Sequence, residues 1–368
     1  MKSFRLFFFM WICSFFVDLP LLEGAEYPYS FRSAYFRGRG DTGIAIAEDG
    51  DAVLFNPAGL ALAPHLYNKI ILASPSLEFS RDTRDVVKQI AIQNEDPTDI
   101  LKEHIGKAQH FRFGEFTGIL LRKVAIGAYV DQSMTVLLYK DPTLGALETV
   151  DASAKLDLAA TFSLADCWSK QSFCLGLTSK FIRRTQGAIK ANAAEASQLK
   201  DLSGDSLAMT GSGVGVNLGA MYRWTEQKVP FHMGFTIEDV AGTNFTPEKP
   251  TTLVKSERPL KDIKQTLNLG LALIPGTQFS RIKLLFDYKD LLNVYKQETG
   301  KHVHLGGELS ILNFIGFTFG LNQGYPSVGF YTDLRFLRVD LGFYSEELGD
   351  ALGERSDERY FVGLRIAL

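Results

Sequence analysis

The stretch "KLDLAATFSL", Lys155 to Leu164, alternates without a break. Leu156, Leu158, Ala160, Phe162 and Leu164 fall on one side, and Lys155, Asp157, Ala159, Thr161 and Ser163 on the other. Successive side chains of an extended chain point to opposite faces, so a period of two specifies a β-strand with one apolar and one polar face. Val124, Ile126, Ala128 and Val130 against Ala125, Gly127, Tyr129 and Asp131 repeat the pattern, as do Ile282, Leu284, Phe286 and Tyr288 against Lys283, Asp287 and Lys289. A sandwich turns the apolar side inward, whereas a membrane barrel turns it to lipid around a polar lumen. Periodicity alone fits both.

The connections select between them. Fourteen strands are expected, near 67–79, 110–122, 124–138, 148–165, 172–188, 213–225, 229–241, 266–275, 280–291, 302–312, 314–322, 326–335, 337–345 and 359–368. Even-to-odd connections are short, as at Arg122-Lys123, Asn313 and Phe336. Odd-to-even connections are mostly long, at 80–109, 189–212, 242–265 and 346–358, with 323–325 the exception. Short turns at one end and long loops at the other characterise bacterial outer-membrane barrels, and an even strand number returns both chain ends to the short-turn side. A secreted soluble β-protein has no reason for this rhythm. The expected fold class is therefore all-β, a 14-stranded antiparallel transmembrane barrel over 65–368 with some helix in its long loops. In the first of those loops Val86, Val87, Ile90 and Ala91 form an apolar stripe, and Asp96 caps a second helix with Pro97 at its first position.

Composition agrees. The chain of 368 residues carries 28 Phe, 13 Tyr and 33 Gly, which suits many strands and tight turns. Its net charge of −3 lacks the basic excess of a nucleic-acid binder, so no nucleic-acid partner is expected. Lys2 and Arg5 precede an apolar run from Leu6 to Val17, which Asp18 and Pro20 end short of the roughly 20 residues a spanning helix needs. Residues 1–25 read as a signal peptide cleaved near Gly24 or Ala25. Beyond it stand Cys167 and Cys174. An oxidising compartment permits a disulfide between them, and two unpaired residues at strand ends fit the sequence equally.

The final stretch "RYFVGLRIAL", Arg359 to Leu368, alternates to its last residue. A free strand edge is a pairing hazard that closure against the first strand removes. The segment resembles the C-terminal assembly signal of outer-membrane proteins, with Leu368 where Phe is usual. That implies the barrel-assembly machinery and outer-membrane lipids as partners.

Upstream of the strands, "GRGDTGIAIAEDGDAVLFNPAGLA", Gly38 to Ala61, resembles the N-terminal region of the FadL-like outer-membrane barrels. That superfamily includes long-chain fatty-acid and hydrocarbon transporters and PorV-like accessory barrels. Its small-residue and acidic pattern reads here as Ala45, Ala47, Glu48, Asp49, Ala52 and Phe55, followed by Asn56-Pro57-Ala58-Gly59-Leu60. The resemblance implies a hatch, residues 26–64, filling the lumen, with Asn56, Pro57, Ala58 and Gly59 at its gating end. The residues themselves support a turn there: Pro57 biases Asn56 toward an extended backbone, and Asn56 can cap a helical turn that Pro57 begins.

Catalytic chemistry is not legible. There is no GxSxG, no HExxH and no phosphate loop, so neither an enzyme nor a cofactor is expected. His302, His304 and Glu308 share strand parity; a metal site is one reading and a hydrogen-bonded lumen group the stronger one. Asp333, Arg335, Arg338, Asp340 and Arg365 come from neighbouring strands and are the expected lumen charge network. The resemblance implies passive uptake of a hydrophobic small molecule. The alternative within the same superfamily is a PorV-like docking barrel for secretion or surface assembly, without transport.

Overall fold

The computed structural model describes residues 31–62, 69–88, 105–121, 123–141, 147–169, 172–192, 208–224, 226–248, 260–277, 279–349 and 351–368. The signal-peptide reading and the Asp96-Pro97 cap lie outside the described residues.

One antiparallel sheet closes on itself as a 14-strand barrel. The first strand, β1, has two halves, Lys69–Ala73 and Ser76–Ser80. There follow β2 (Ala108–Leu121), β3 (Val124–Asp141), β4 (Leu147–Trp168), β5 (Phe173–Asn192), β6 (Met209–Trp224) and β7 (Phe231–Glu238). The circuit continues through β8 (Thr266–Leu273), β9 (Ser280–Tyr288), β10 (Val303–Ile311), β11 (Ile315–Asn322), β12 (Tyr325–Asp333), β13 (Leu337–Glu347) and β14 (Ser356–Ala367). Each strand pairs with the next in sequence, and β14 pairs with both halves of β1. Every expected strand is present. Closure leaves no edge, which a lipid-facing sheet requires because lipid offers no hydrogen bonds. At the β10–β11 turn Leu312 and Asn313 both take positive φ, and Phe314 N–H donates to the Ile311 carbonyl at 3.0 Å to close it.

The alternation resolves as the membrane case. Ile126, Phe162, Phe181, Val214, Leu284 and Phe317 point outward and are exposed, while Asp131, Asp157, Lys180 and Asp287 are buried in the interior. Large exposed apolar side chains on every wall strand exclude the soluble sandwich. Trp168, Phe173, Trp224, Phe279, Phe314 and Phe336 cluster at the short-turn ends, an aromatic girdle at one membrane interface. There Cys167 and Cys174 face each other across β4 and β5 and form a disulfide.

One strand departs from expectation. A continuous first strand was expected over 67–79, but β1 breaks at Ser74-Pro75. Proline offers no N–H to the ladder. Between the Ile71–Gly118 and Ser76–Gly114 pairs, β1 carries one more residue than β2, a bulge. Side chains of β2 patch the gap: Ser74 N–H donates to Glu115 at 2.8 Å, and Thr117 Oγ1 donates to the Ile71 carbonyl at 2.9 Å.

Candidate functional site: a plugged lumen

Residues 31–62 lie inside the barrel. They form a short helix α1 (Ala34–Arg37), a second, α2 (Asp49–Leu54), and a 3-10 turn (Pro57–Leu62). Arg32, Arg37, Arg39, Asp41, Ala52, Asn56 and Ala58 are all almost wholly buried.

The wall is made to receive this backbone. A side chain on Gly363 of β14 would strike Ala34, and one on Gly329 of β12 would lie 3.2 Å from Gly38 Cα. Gly320 of β11 and Gly306 of β10 press on Arg39 to Thr42, Gly270 of β8 and Gly234 of β7 on Ile44 and Ala45, and Gly219 of β6 and Gly176 of β5 on Asn56 to Ala58. Three of these pairs are register partners across neighbouring strands: Gly306 with Gly320, Gly234 with Gly270 and Gly176 with Gly219. The segment therefore lies on a belt of bare backbone and travels around the inner wall in reverse strand order.

Charges fix it on the belt. Arg32 pairs with Glu346 of β13 at 2.8 Å, Arg37 with Glu78 of β1 at 2.5 Å, and Arg39 with Glu308 of β10 at 2.9 Å. Glu308 also meets Lys283 at 3.0 Å and accepts from Tyr35 at 2.6 Å and Tyr331 at 2.9 Å. Asp41 pairs with Lys289. Burial works against the Asp41 charge, but Lys289 and Arg32 outweigh it and hold the carboxyl well below its usual range. Asp287 accepts the Gly43 and Ile44 N–H groups at 2.7 and 3.1 Å.

Asn56 has three roles. Its Oδ1 accepts from Ala58 N–H at 3.2 Å, the geometry of a helix cap with Pro57 at the first position. Its Nδ2 donates to Ile44 O at 2.8 Å and to Ala220 O of the wall at 3.3 Å. Gly59 sits so close to Ala47 that any side chain there would overlap the Ala47 carbonyl.

The structure brings together four of the five expected network residues. Arg338 bonds Asp340 at 2.8 Å and Asp333 at 3.4 Å, while Arg365 reaches Asp333 at 3.8 Å and Asp51 of α2 at 4.0 Å. Arg335 is not among them, which corrects the expectation. It stands in the β12–β13 turn with φ 69°, is exposed, and lies outside the lumen. The turn resets strand parity, so a residue that shares Asp333's parity does not share its face. His304 donates from Nδ1 to Gly40 O at 3.0 Å and His302 to Lys289 O at 2.8 Å, so each holds backbone.

Among the described residues, two cavities lie beside the segment. One, nearer the long-loop ends, is bordered by Phe36, Ile44, Phe55, Tyr129, Lys180 and Glu238 among others, with ≈ 30 Å³ of room for the centre of a water-sized molecule. The other, nearer the short-turn ends, is bordered by Tyr35, Asp51, Phe116, Arg338 and Arg365, with ≈ 40 Å³. The second also touches Ser74, Pro75 and Leu364 at the break in the wall. Beyond the first, the β7–β8 connection folds inward: Phe245, Leu260 and Ile263 are buried, Arg184 stacks on Phe245 at 4.5 Å, and Asp239 binds Lys180 at 2.9 Å.

No family model and no curated protein matches the sequence. Among solved structures, the toluene transporter TbuX of Ralstonia pickettii superposes with a TM-score of 0.50 at 11% identity, covering 94% of this chain and 98% of that one. The fold is FadL-like. The toluene transporter TodX of Pseudomonas putida gives 0.49 at 12% identity over 92% and 98%. Identities this low show the shared fold alone: a transmembrane barrel of outer-membrane type.

Proposed function

We propose that this barrel mediates passive uptake of a hydrophobic small molecule, with residues 31–62 as a movable hatch. The observation that carries the reading is the route through the plug: one cavity toward the long loops, a second against the Ser74-Pro75 break, and the plug between them. Neither cavity holds a ring-sized molecule, since an engineered void that binds benzene measures about 150 Å³. Passage therefore requires the hatch to shift. The toluene transporters of similar fold support the hydrophobic class of solute. Residues 1–25 would direct export, and β14 would engage the barrel-assembly machinery. The outer membrane is the proposed location.

The packed lumen favours a second reading, a docking barrel without transport. One experiment separates the two. Entry of the fluorescent apolar probe N-phenyl-1-naphthylamine would be timed in intact cells with and without the protein, with heat-modifiable gel mobility reporting a folded barrel. Faster entry supports uptake. Unchanged entry with a folded barrel overturns uptake and supports docking.

A further inference from the structure

The two cavities share two lining residues, Phe31 and Leu54. Every other residue borders one cavity alone. Phe31 packs its ring against Tyr129 of β3, with centroids 5.5 Å apart, and lies close to Gly114 of β2. Leu54 ends α2, and its carbonyl accepts from Asn217 of β6 at 3.4 Å, which ties its position to the opposite wall. Phe31 thus borders both voids from the side of β2 and β3, and Leu54 borders both from the end of α2.

We infer that Phe31 and Leu54 are the gate of the lumen: their side chains are the partition that a neutral apolar solute displaces in passing from the long-loop cavity to the cavity at the wall break. Both are apolar and neither donates nor accepts through its side chain, so moving them breaks no hydrogen bond and no ion pair. That distinguishes them from the charged residues of the plug, Arg32, Arg37, Arg39 and Asp41, each held by a wall charge. A local side-chain movement can therefore join the cavities first, and the shift of the hatch then widens the joined space to the size of a solute. On this view the anchors set where the hatch sits, and the pair sets what passes.

The inference rests on the uptake reading, yet the two fail separately. Phe31→Ala, Leu54→Ala and the double variant would be compared with wild type by single-channel conductance in planar bilayers and by N-phenyl-1-naphthylamine entry into cells. Each single change should give a small gain and the double a gain larger than their sum, because either remaining side chain still divides the space. Phe31→Trp should slow probe entry. Ile46→Ala removes a comparable buried apolar group from the hatch but borders neither cavity, so it measures general loosening. A double variant that gains no more than Ile46→Ala in either assay overturns the gate. Conductance gained by the double variant, with no probe entry in wild type, keeps the partition and refutes uptake.

Discussion

Gly219→Ala tests whether the plug sits where the glycine belt holds it. The new Cβ would overlap Asn56 Oδ1 and lie 2.8 Å from Pro57 Cδ and 3.0 Å from Pro57 N. The wall cannot yield, because Gly219 is paired with Gly176 on one side and Thr236 on the other. Asn56 must move instead. It then loses its bonds to Ile44 O and Ala220 O and its cap on Ala58. At a net of about 1 kcal/mol for each hydrogen bond, loss of two or three costs about 2–3 kcal/mol. With 1.4 kcal/mol per tenfold, the ratio of docked to undocked plug falls roughly 30- to 140-fold. Strand pairing uses backbone alone and is untouched, so heat-modifiable mobility should match wild type. Planar-bilayer recording should show openings far more frequent than in wild type. Leu218→Ala, which trims the adjacent lipid-facing side chain, should show none of this. A folded Gly219→Ala barrel as silent as wild type would mean that Asn56 and its belt contacts do not keep the lumen shut.

Other perturbations follow from the same geometry. Glu308→Ala leaves Arg39 buried and Lys283 half-buried without their acid, a loss of about 3–5 kcal/mol, and should raise conductance and lower the unfolding temperature of the barrel. Leu158→Arg places a charge on the lipid face at a cost of roughly 2–4 kcal/mol, so heat-modifiable folding yield should drop. Glu115→Ala strips the acceptor from Ser74 N–H at the wall break, worth about 1–3 kcal/mol, and hydrogen exchange at Ser74 should quicken, whereas Glu115→Gln should preserve protection. Because the folded-state carboxyl of Asp41 titrates below its usual range, its pairing with Lys289 contributes fully above the ordinary Asp value of 3.8 and is lost only below it. Lowering the pH from neutral to about 4 should therefore leave the Asp41–Lys289 pair formed, read as an unchanged Asp41 carboxylate band in isotope-edited infrared spectra.

The strands were legible because one face of each meets lipid, and lipid accepts no charge; the period of two in "KLDLAATFSL" is that constraint written out. The loop rhythm then fixed the barrel. Less legible were features that depend on what meets what inside. The break in β1 was signalled by Pro75 within an otherwise strand-like run, and proline belongs at bulges and edges rather than in a continuous ladder. Arg335 was misplaced because parity cannot be carried through a turn. The glycine belt went unread because glycine was taken as a turn former. Its signal is present all the same: Leu175-Gly176-Leu177, Leu218-Gly219-Ala220, Met233-Gly234-Phe235, Leu269-Gly270-Leu271, Phe319-Gly320-Leu321 and Val362-Gly363-Leu364 each set a glycine at lumen parity inside a strand. Glycine weakens a strand unless a backbone approaches closely, so its recurrence at one parity marks a contact surface. The gate pair left no such trace, since Phe31 and Leu54 are ordinary apolar residues until the fold places them between two cavities.

The chemistry of the plug's attachment bears on its proposed movement. A segment packed into a lumen by apolar contacts would be held in proportion to its buried area, at about 25 cal/mol per Å², and release would expose that area to water. This segment is held in both ways, by buried apolar side chains such as Phe36, Ile44, Val53 and Leu60 and by Arg–Glu and Lys–Asp pairs. A buried pair gains specificity of position but little net stability, because water solvates the separated charges nearly as well. Breaking one partner by mutation is costly, since it strands a charge in the protein; moving both partners into a wet lumen is not. The ion pairs can therefore set the register of the plug while adding little to the cost of displacing it. A plug meant only to seal would lose nothing by exchanging these pairs for well-packed apolar residues. Replacing Arg39, Glu308 and Lys283 together by Met, Leu and Met makes that comparison: on the uptake reading the apolar triad should keep or raise barrel stability while slowing N-phenyl-1-naphthylamine entry. Entry as fast as in wild type from a folded triple variant would show that the ion pairs have no part in letting the hatch move.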